Sequence, residues 1–244
     1  MAPHRERHPG SGARRCGAAP SARGASALTP VAVPLVDDVQ DQLEAIYDLH
    51  CPRVSAFLVP AEPPAGLPVA ASDEELWLRE EGDTLELGLY LAPRLRAEVG
   101  HRSLREPGWV EDSLDAYCRL AEGVSHFLYL VHSAGLGRHC SMLEMEAQGE
   151  VDKFASVALH LWPTLDGATA RALHRKLFTT ARLRPGLGAA EWYRYTEANR
   201  LGANFAARLV SDCAARRLDR VLGALRHAYR LGAEAKLQHL GRAA

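Results

Sequence analysis

The sequence predicts a predominantly helical α+β fold: a small antiparallel β-hairpin or three-stranded sheet, then a bundle of five to six helices. Three observations carry this expectation. Leucines alternate with polar residues on both sides of a Gly82-Asp83 turn signal, as in a half-buried hairpin. From Pro93 onward, apolar residues recur at helical spacing almost without interruption. Proline and glycine clusters cut that run into lengths typical of packed helices.

In chain order, residues 1–30 are rich in Arg, Ala, Gly, Pro and Ser and carry a single acid, Glu6. Such a segment buries too little apolar surface to fold, so it is expected to be a disordered tail. Residues 31–244 are then expected to form one domain. A first helix is predicted at about 38–49, because Asp37 and Asp38 suit its N-terminus and Val39, Leu43, Ile46 and Tyr47 its buried face. The apolar run from Val54 to Pro60 reads as a short strand. Leu76 and Leu78, then Leu85, Leu87, Leu89 and Leu91, form the inner face of the hairpin. Helices are predicted at about 93–105, 113–134, 139–162, 168–181, 189–213 and 215–239. The second and third of these should form an antiparallel pair about the Gly135-Leu136-Gly137 turn.

Composition narrows the function classes. No stretch approaches the length of an apolar membrane span. The five cysteines are widely and irregularly spaced, which is a poor disulfide framework and suits a reducing, cytoplasmic setting. Lys153, Lys176 and Lys236 are the only lysines; this Arg- and Ala-rich bias is what bacterial-type, GC-rich coding produces without any functional demand. Residues 25–170 hold 24 acidic and 9 basic side chains, whereas residues 171–244 hold 15 basic and 5 acidic. The two halves are expected to neutralise each other by packing together, rather than to serve separate charged partners.

One constellation carries possible chemistry. Glu122 and His126 are one helical turn apart on the first helix of the pair. Folding the chain about Gly135–Gly137 brings Glu122 opposite Glu150, and His126 opposite Glu146. Glu122, His126, Glu146 and Glu150 are therefore candidate ligands for a divalent metal, or an acid–base cluster. A hydrogen-bonded polar layer that fixes the register of the two helices is the competing expectation. The paired Glu-x-x-His motifs of ferritin-like di-metal bundles are absent, since the spacing here is Glu-x-x-x-His.

Other features have simpler readings. Asp37, Asp38 and Asp41 spell the Asp-rich pattern of magnesium diphosphate sites, but helix capping accounts for them and no second such motif follows. Arg216, Arg220 and Arg230 share a stripe that phosphates or nucleic acid would favour, with Arg171, Arg175, Lys176, Arg182 and Arg184 clustered earlier. No aromatic stacking platform accompanies them, so nucleic acid is disfavoured. Trp192 and Tyr195 lie on a face with Gly202 and Ala206 that suits a partner protein or a second copy, or else a neighbouring helix of the same chain. Nucleotide-binding glycine loops, nucleophile elbows and zinc-protease motifs do not occur. The sequence alone thus favours a non-enzymatic interaction or regulatory module, with a metal-binding protein or enzyme built on the Glu/His cluster as the alternative.

Overall fold

A computed structural model describes residues 34–59, 72–81, 84–100, 102–106, 108–180 and 183–243. The expected tail, the turn at Gly82-Asp83 and Arg182 lie outside the described residues. Among those described, the architecture is predominantly helical α+β, with nine α-helices and one two-stranded antiparallel sheet.

Helix α1 (Pro34–Tyr47) starts earlier than the aspartates suggested, at a proline whose fixed φ suits a first turn. Its aspartates hold neighbouring segments: Asp38 accepts from Ser103 Oγ at 2.7 Å and Asp41 pairs with Arg53. The expected strand at 54–60 is instead a 3-10 turn over Val54–Phe57. Gln40, buried in α1, binds this segment through the Val54 N–H at 2.8 Å and the Pro52 carbonyl at 3.1 Å. These bonds satisfy backbone groups that a third strand would have needed for its ladder. Among the described residues the segment joins the sheet at one isolated bridge, Leu58 to Leu89, where the Val59 N–H donates to the Leu89 carbonyl at 3.0 Å.

Strands β1 (Glu74–Glu81) and β2 (Thr84–Leu91) pair with Leu76 opposite Leu89 and Leu78 opposite Leu87. Leu87, Leu89 and Leu91 are buried. On the other face Trp77 stacks on Tyr90 at 5.4 Å. Helix α2 (Pro93–Val99) is shorter than the sequence suggested, ending at Gly100, whose φ of +47° favours glycine. A single turn, α3 (Trp109–Asp112), precedes α4 (Leu114–Gly135).

Helix α5 (Met142–His160) begins in a capping box: Ser141 Oγ accepts from the Glu144 N–H and the Glu144 carboxylate accepts from the Ser141 N–H. It packs against α1, α4, α7 (Ala189–Ala214) and α6 (Gly167–Phe178), which makes it the central rod of the molecule. The last predicted helix is in fact two, α8 (Leu218–Arg230) and α9 (Ala233–Leu240), separated at Leu231 and Gly232. Their faces bury Val221, Leu225 and Tyr229, then Lys236 and Leu240, and this spacing keeps to one helical stripe across the break, which is why the sequence reads as a single helix.

Candidate functional site

The site lies where α4, α5 and β1 meet, and three helical glycines make room around it. Glycine at 123 leaves room on α4 for β1: a Cβ there would lie 3.2 Å from the Glu74 carboxylate and 3.2 Å from Leu89 Cδ1. Glycine at 149 leaves room on α5 for the imidazole: a Cβ there would stand 3.0 Å from His126 Nε2. Glycine at 202 lets α7 press on α5, since a Cβ would fall 2.6 Å from Glu150 Cβ. Interior glycines cost a helix about 1 kcal/mol each relative to alanine, so these close approaches are where that cost is offset.

Into this space α4 directs Glu122 and His126, α5 directs Glu146, and β1 directs Glu74. Ligand-type atoms of Glu122, His126 and Glu146 all lie within 4.8 Å of one another. His126 Nε2 stands 3.6 Å from Glu146 Oε2, and His126 Nδ1 stands 3.6 Å from Glu74 Oε2. Both separations exceed hydrogen-bond length. Accordingly His126 Nε2 and Glu74 Oε2 are buried without a hydrogen-bond partner among the described residues. His126 is 4 % exposed and Glu146 5 %.

Glu150 does not join this group. Its carboxylate accepts from Lys153 Nζ at 2.9 Å, and Lys153 also reaches Glu122 at 3.3 Å. Glu122 thus stands between the lysine and the histidine. Arg194 of α7 approaches Glu146 at 3.7 Å.

The electrostatics follow from these neighbours. Four carboxylates (Glu74, Glu122, Glu146 and Glu150) face two fixed cations, Lys153 and Arg194. Two negative charges are left over when His126 is neutral. Protons meet that deficit. Burial alone would hold His126 low, but Glu74, Glu146 and Glu122 outweigh it and lift the imidazole to about 9. Burial, reinforced by Glu122 and Glu74, raises Glu146 to about 7. Burial also raises Glu150, whereas Lys153 and His126 overcome burial at Glu122 and hold it down. Carboxylates that outnumber their fixed cations by two, gathered about one imidazole, can balance the charge of a divalent cation.

The other sequence candidates have structural partners. Arg216 donates to the carbonyls of Trp162 and Leu165 just beyond α5, and Arg230 Nη2 to the Tyr47 carbonyl at 3.1 Å. Arg226 reaches Ala45 and Ile46 carbonyls at 3.0 and 2.8 Å. These guanidinium groups satisfy carbonyls at helix C-termini, where the backbone partial charge is negative. Arg220 is exposed and does not join them. Trp192 is 56 % exposed, while Tyr195 is half-buried beside Arg194, whose guanidinium lies 5.2 Å from its ring centre. The small face of α7 at Gly202 and Ala206 packs within the chain, the glycine directly over α5.

Two members of the site were not foreseen from sequence. Glu74 is two residues before Leu76 and therefore shares the leucine face of β1, a signal that strand alternation supplies. Gly149 sits inside a helix without a turn signal around it, which is itself a mark of close approach.

Fold and site together define a helix-dominated α+β protein with a buried carboxylate–histidine cluster. No family model, curated protein or solved structure matches the chain.

Proposed function

We propose that the protein binds one divalent first-row transition ion through His126 Nε2, Glu146 and Glu122, with Glu74 orienting the histidine from behind. The observation that carries this reading is the two-sided setting of His126. One ring nitrogen faces a carboxylate from β1, and the other, unpartnered, faces the carboxylates of α4 and α5. Metal-bound histidines characteristically turn their second nitrogen to a carboxylate, which fixes the tautomer and raises ligand basicity.

One imidazole with two carboxylates suits zinc, manganese or iron(II) better than the all-oxygen shells of calcium and magnesium. Ligand atoms around such an ion lie about 3.4 Å apart, so rotamer adjustments of the glutamates would close the present spacing. Glu150 stays with Lys153 in this proposal and is not a ligand.

Calorimetric titration of chelator-treated full-length protein with Zn²⁺, Mn²⁺ and Co²⁺ tests the proposal. Stoichiometric binding of one ion per chain is expected, and it should disappear in His126→Ala while the helical circular dichroism persists. Binding that survives both His126→Ala and Glu146→Ala would place the ion elsewhere and end this reading.

A second reading, a protein-interaction module of the cytoplasm, is favoured by one feature. Trp192 and Tyr193, 56 % and 62 % exposed, stand side by side at the start of α7. Aromatic pairs of this kind are common anchors in interfaces. The four cysteines among the described residues are all free thiols, which supports a reducing compartment. No described helix is long and apolar enough to cross a membrane.

A further inference from the structure

Beside the Glu122–His126–Glu146 cluster, residues of α4, α5 and α6 line a cleft of about 500 Å³. Its walls carry Asp115, Cys118, Arg119 and Glu122 from α4, Lys176 from α6 and Thr180 just beyond it; Lys153 of α5 reaches it. A volume of this size suits a small organic molecule. Glu122 is common to the cleft and to the cluster, so the cleft opens onto the side of the cluster that solvent can reach. His126 and Glu146, by contrast, are closed over.

We propose that this cleft binds a small molecule carrying its negative charge at one end, as a carboxylate or phosphate, with that end against Lys153 and the ion beside Glu122. The inference rests on the metal-binding reading above. Three cations line the cleft, but they are not equivalent. Arg119 is already held by Asp73 and by Glu98 at 2.8 Å. Lys153 is shared between Glu122 and Glu150. An ion at Glu122 draws that carboxylate's charge, so one donor of the Lys153 ammonium turns to the cleft. Lys176, exposed at the rim, has no ion-pair partner among the described residues. A metal ion and an adjacent ammonium together favour an oxyanion.

The outer end of the groove sets the limit on size and charge. A shallower hollow of about 230 Å³ shares Asp115 and Lys176 with the cleft and adds Glu98, Glu111 and Asp112. That acidic end repels an extended polyanion, which excludes nucleic acid as the occupant and leaves a ligand whose charge is confined to its inner end. Cys118 lines the cleft as a neutral thiol, pushed up to about 12 by burial and by Glu122 and Glu150.

The experiment uses full-length protein loaded with Co²⁺, whose d–d absorption reports its ligands. Titration with inorganic phosphate, and separately with acetate, should perturb that spectrum saturably, and the tighter of the two identifies the headgroup. Lys176→Gln is expected to weaken the tighter anion about five- to tenfold while leaving cobalt affinity unchanged. Lys153→Gln should weaken it further. A cobalt spectrum indifferent to both anions, or anion binding that neither lysine variant alters, would overturn the proposal. If wild-type protein takes up no cobalt, the metal reading fails on its own account. Calorimetric titration of the metal-free chain with phosphate then judges the cleft alone: binding lost in Lys176→Gln keeps it, and an absence of heat removes it.

Discussion

At the residue scale, His126 and Glu74 give the sharpest tests, because each holds a buried polar atom without a partner. Glu74→Gln retains size while removing the charge behind the imidazole. If Glu74 orients a metal ligand, the substitution should weaken metal binding about 10- to 100-fold without abolishing it, measured by competition against a chromophoric chelator. An unchanged affinity would reduce Glu74 to a bystander. The pH dependence has a definite sign. A metal must displace the proton that Glu74, Glu146 and Glu122 stabilise on His126 up to about 9, and the one that burial keeps on Glu146 up to about 7. Apparent affinity should therefore rise from pH 6 to pH 9, with net proton release visible as a buffer-dependent heat. In Glu74→Gln the upper end of that rise should move to lower pH, because the largest support for the imidazolium has gone. This residue was legible in the sequence only as a phase relation: Glu74, Leu76 and Leu78 alternate in step, and the acid among leucines was the anomaly.

At the scale of elements, the site depends on how closely α4, α5 and α7 approach. Gly202→Ala should give helix α7 up to about 1 kcal/mol of intrinsic propensity. However, its Cβ would lie 2.6 Å from Glu150 Cβ and 3.2 Å from Phe178 Cε1, and overpacking of this kind costs about 1–3 kcal/mol. Net destabilisation in urea unfolding is expected; a stabilised variant would show that the two helices are free to separate. Gly149→Ala presses on the imidazole rather than on backbone, so its larger effect should be on metal affinity. The element order was largely readable, since alternation in β1 and β2 and the long periodic runs of α4, α5 and α7 are local properties. Two elements depart from that reading, the first for a tertiary cause. The Val54 segment has the residues of a strand, but Gln40 of α1 takes the Val54 N–H and the Pro52 carbonyl just before it. The break between α8 and α9 carries only Gly232 as a signal, because the buried Tyr229 and Lys236, seven residues apart, keep the phase of one continuous helix across it. The arginines at 216 and 230 share a helical stripe in the sequence, and in the fold they donate to carbonyls at the end of α1 and in the turns after α5. A partner reached across the fold leaves no mark in local spacing.

At the scale of the whole molecule, the central helix α5 is polar on two opposite sides, and the two sides solve the same problem differently. Towards β1, Glu146 and Glu150 meet His126, Arg194 and Lys153. Towards α1, α8 and α9, Glu144, Gln148 and Asp152 meet tyrosines: Tyr129 donates to Glu144, and Tyr47, Ser125 and Gln148 all donate to Asp152. Lys236 of α9 enters this second layer fully buried, its Nζ 3.9 Å from the Tyr129 ring centre and without a hydrogen-bond acceptor among the described residues. Burial depresses this amine to about 7, against partial support from Asp152 and Glu144. The folded chain therefore releases a proton that the unfolded chain keeps up to about 10.5. Linkage then requires Lys236 to cost stability fully below pH 7, and the cost to fade as pH rises from 7 towards 10.5. His126 acts in the reverse sense, stabilising fully below its ordinary 6.5 and losing that contribution as pH rises through about 9. The two act with opposite sign between about pH 7 and 9, so a difference between variants is needed to separate them. Lys236→Met keeps the length of the side chain and removes the amine. In urea denaturation it should be more stable than the native chain at pH 6, and the gap should narrow steadily by pH 9. A gap that stays constant across that range, or a variant less stable at pH 6, would mean that contact with Tyr129 and Tyr229 outweighs desolvation and that the buried amine holds the terminal helix in place.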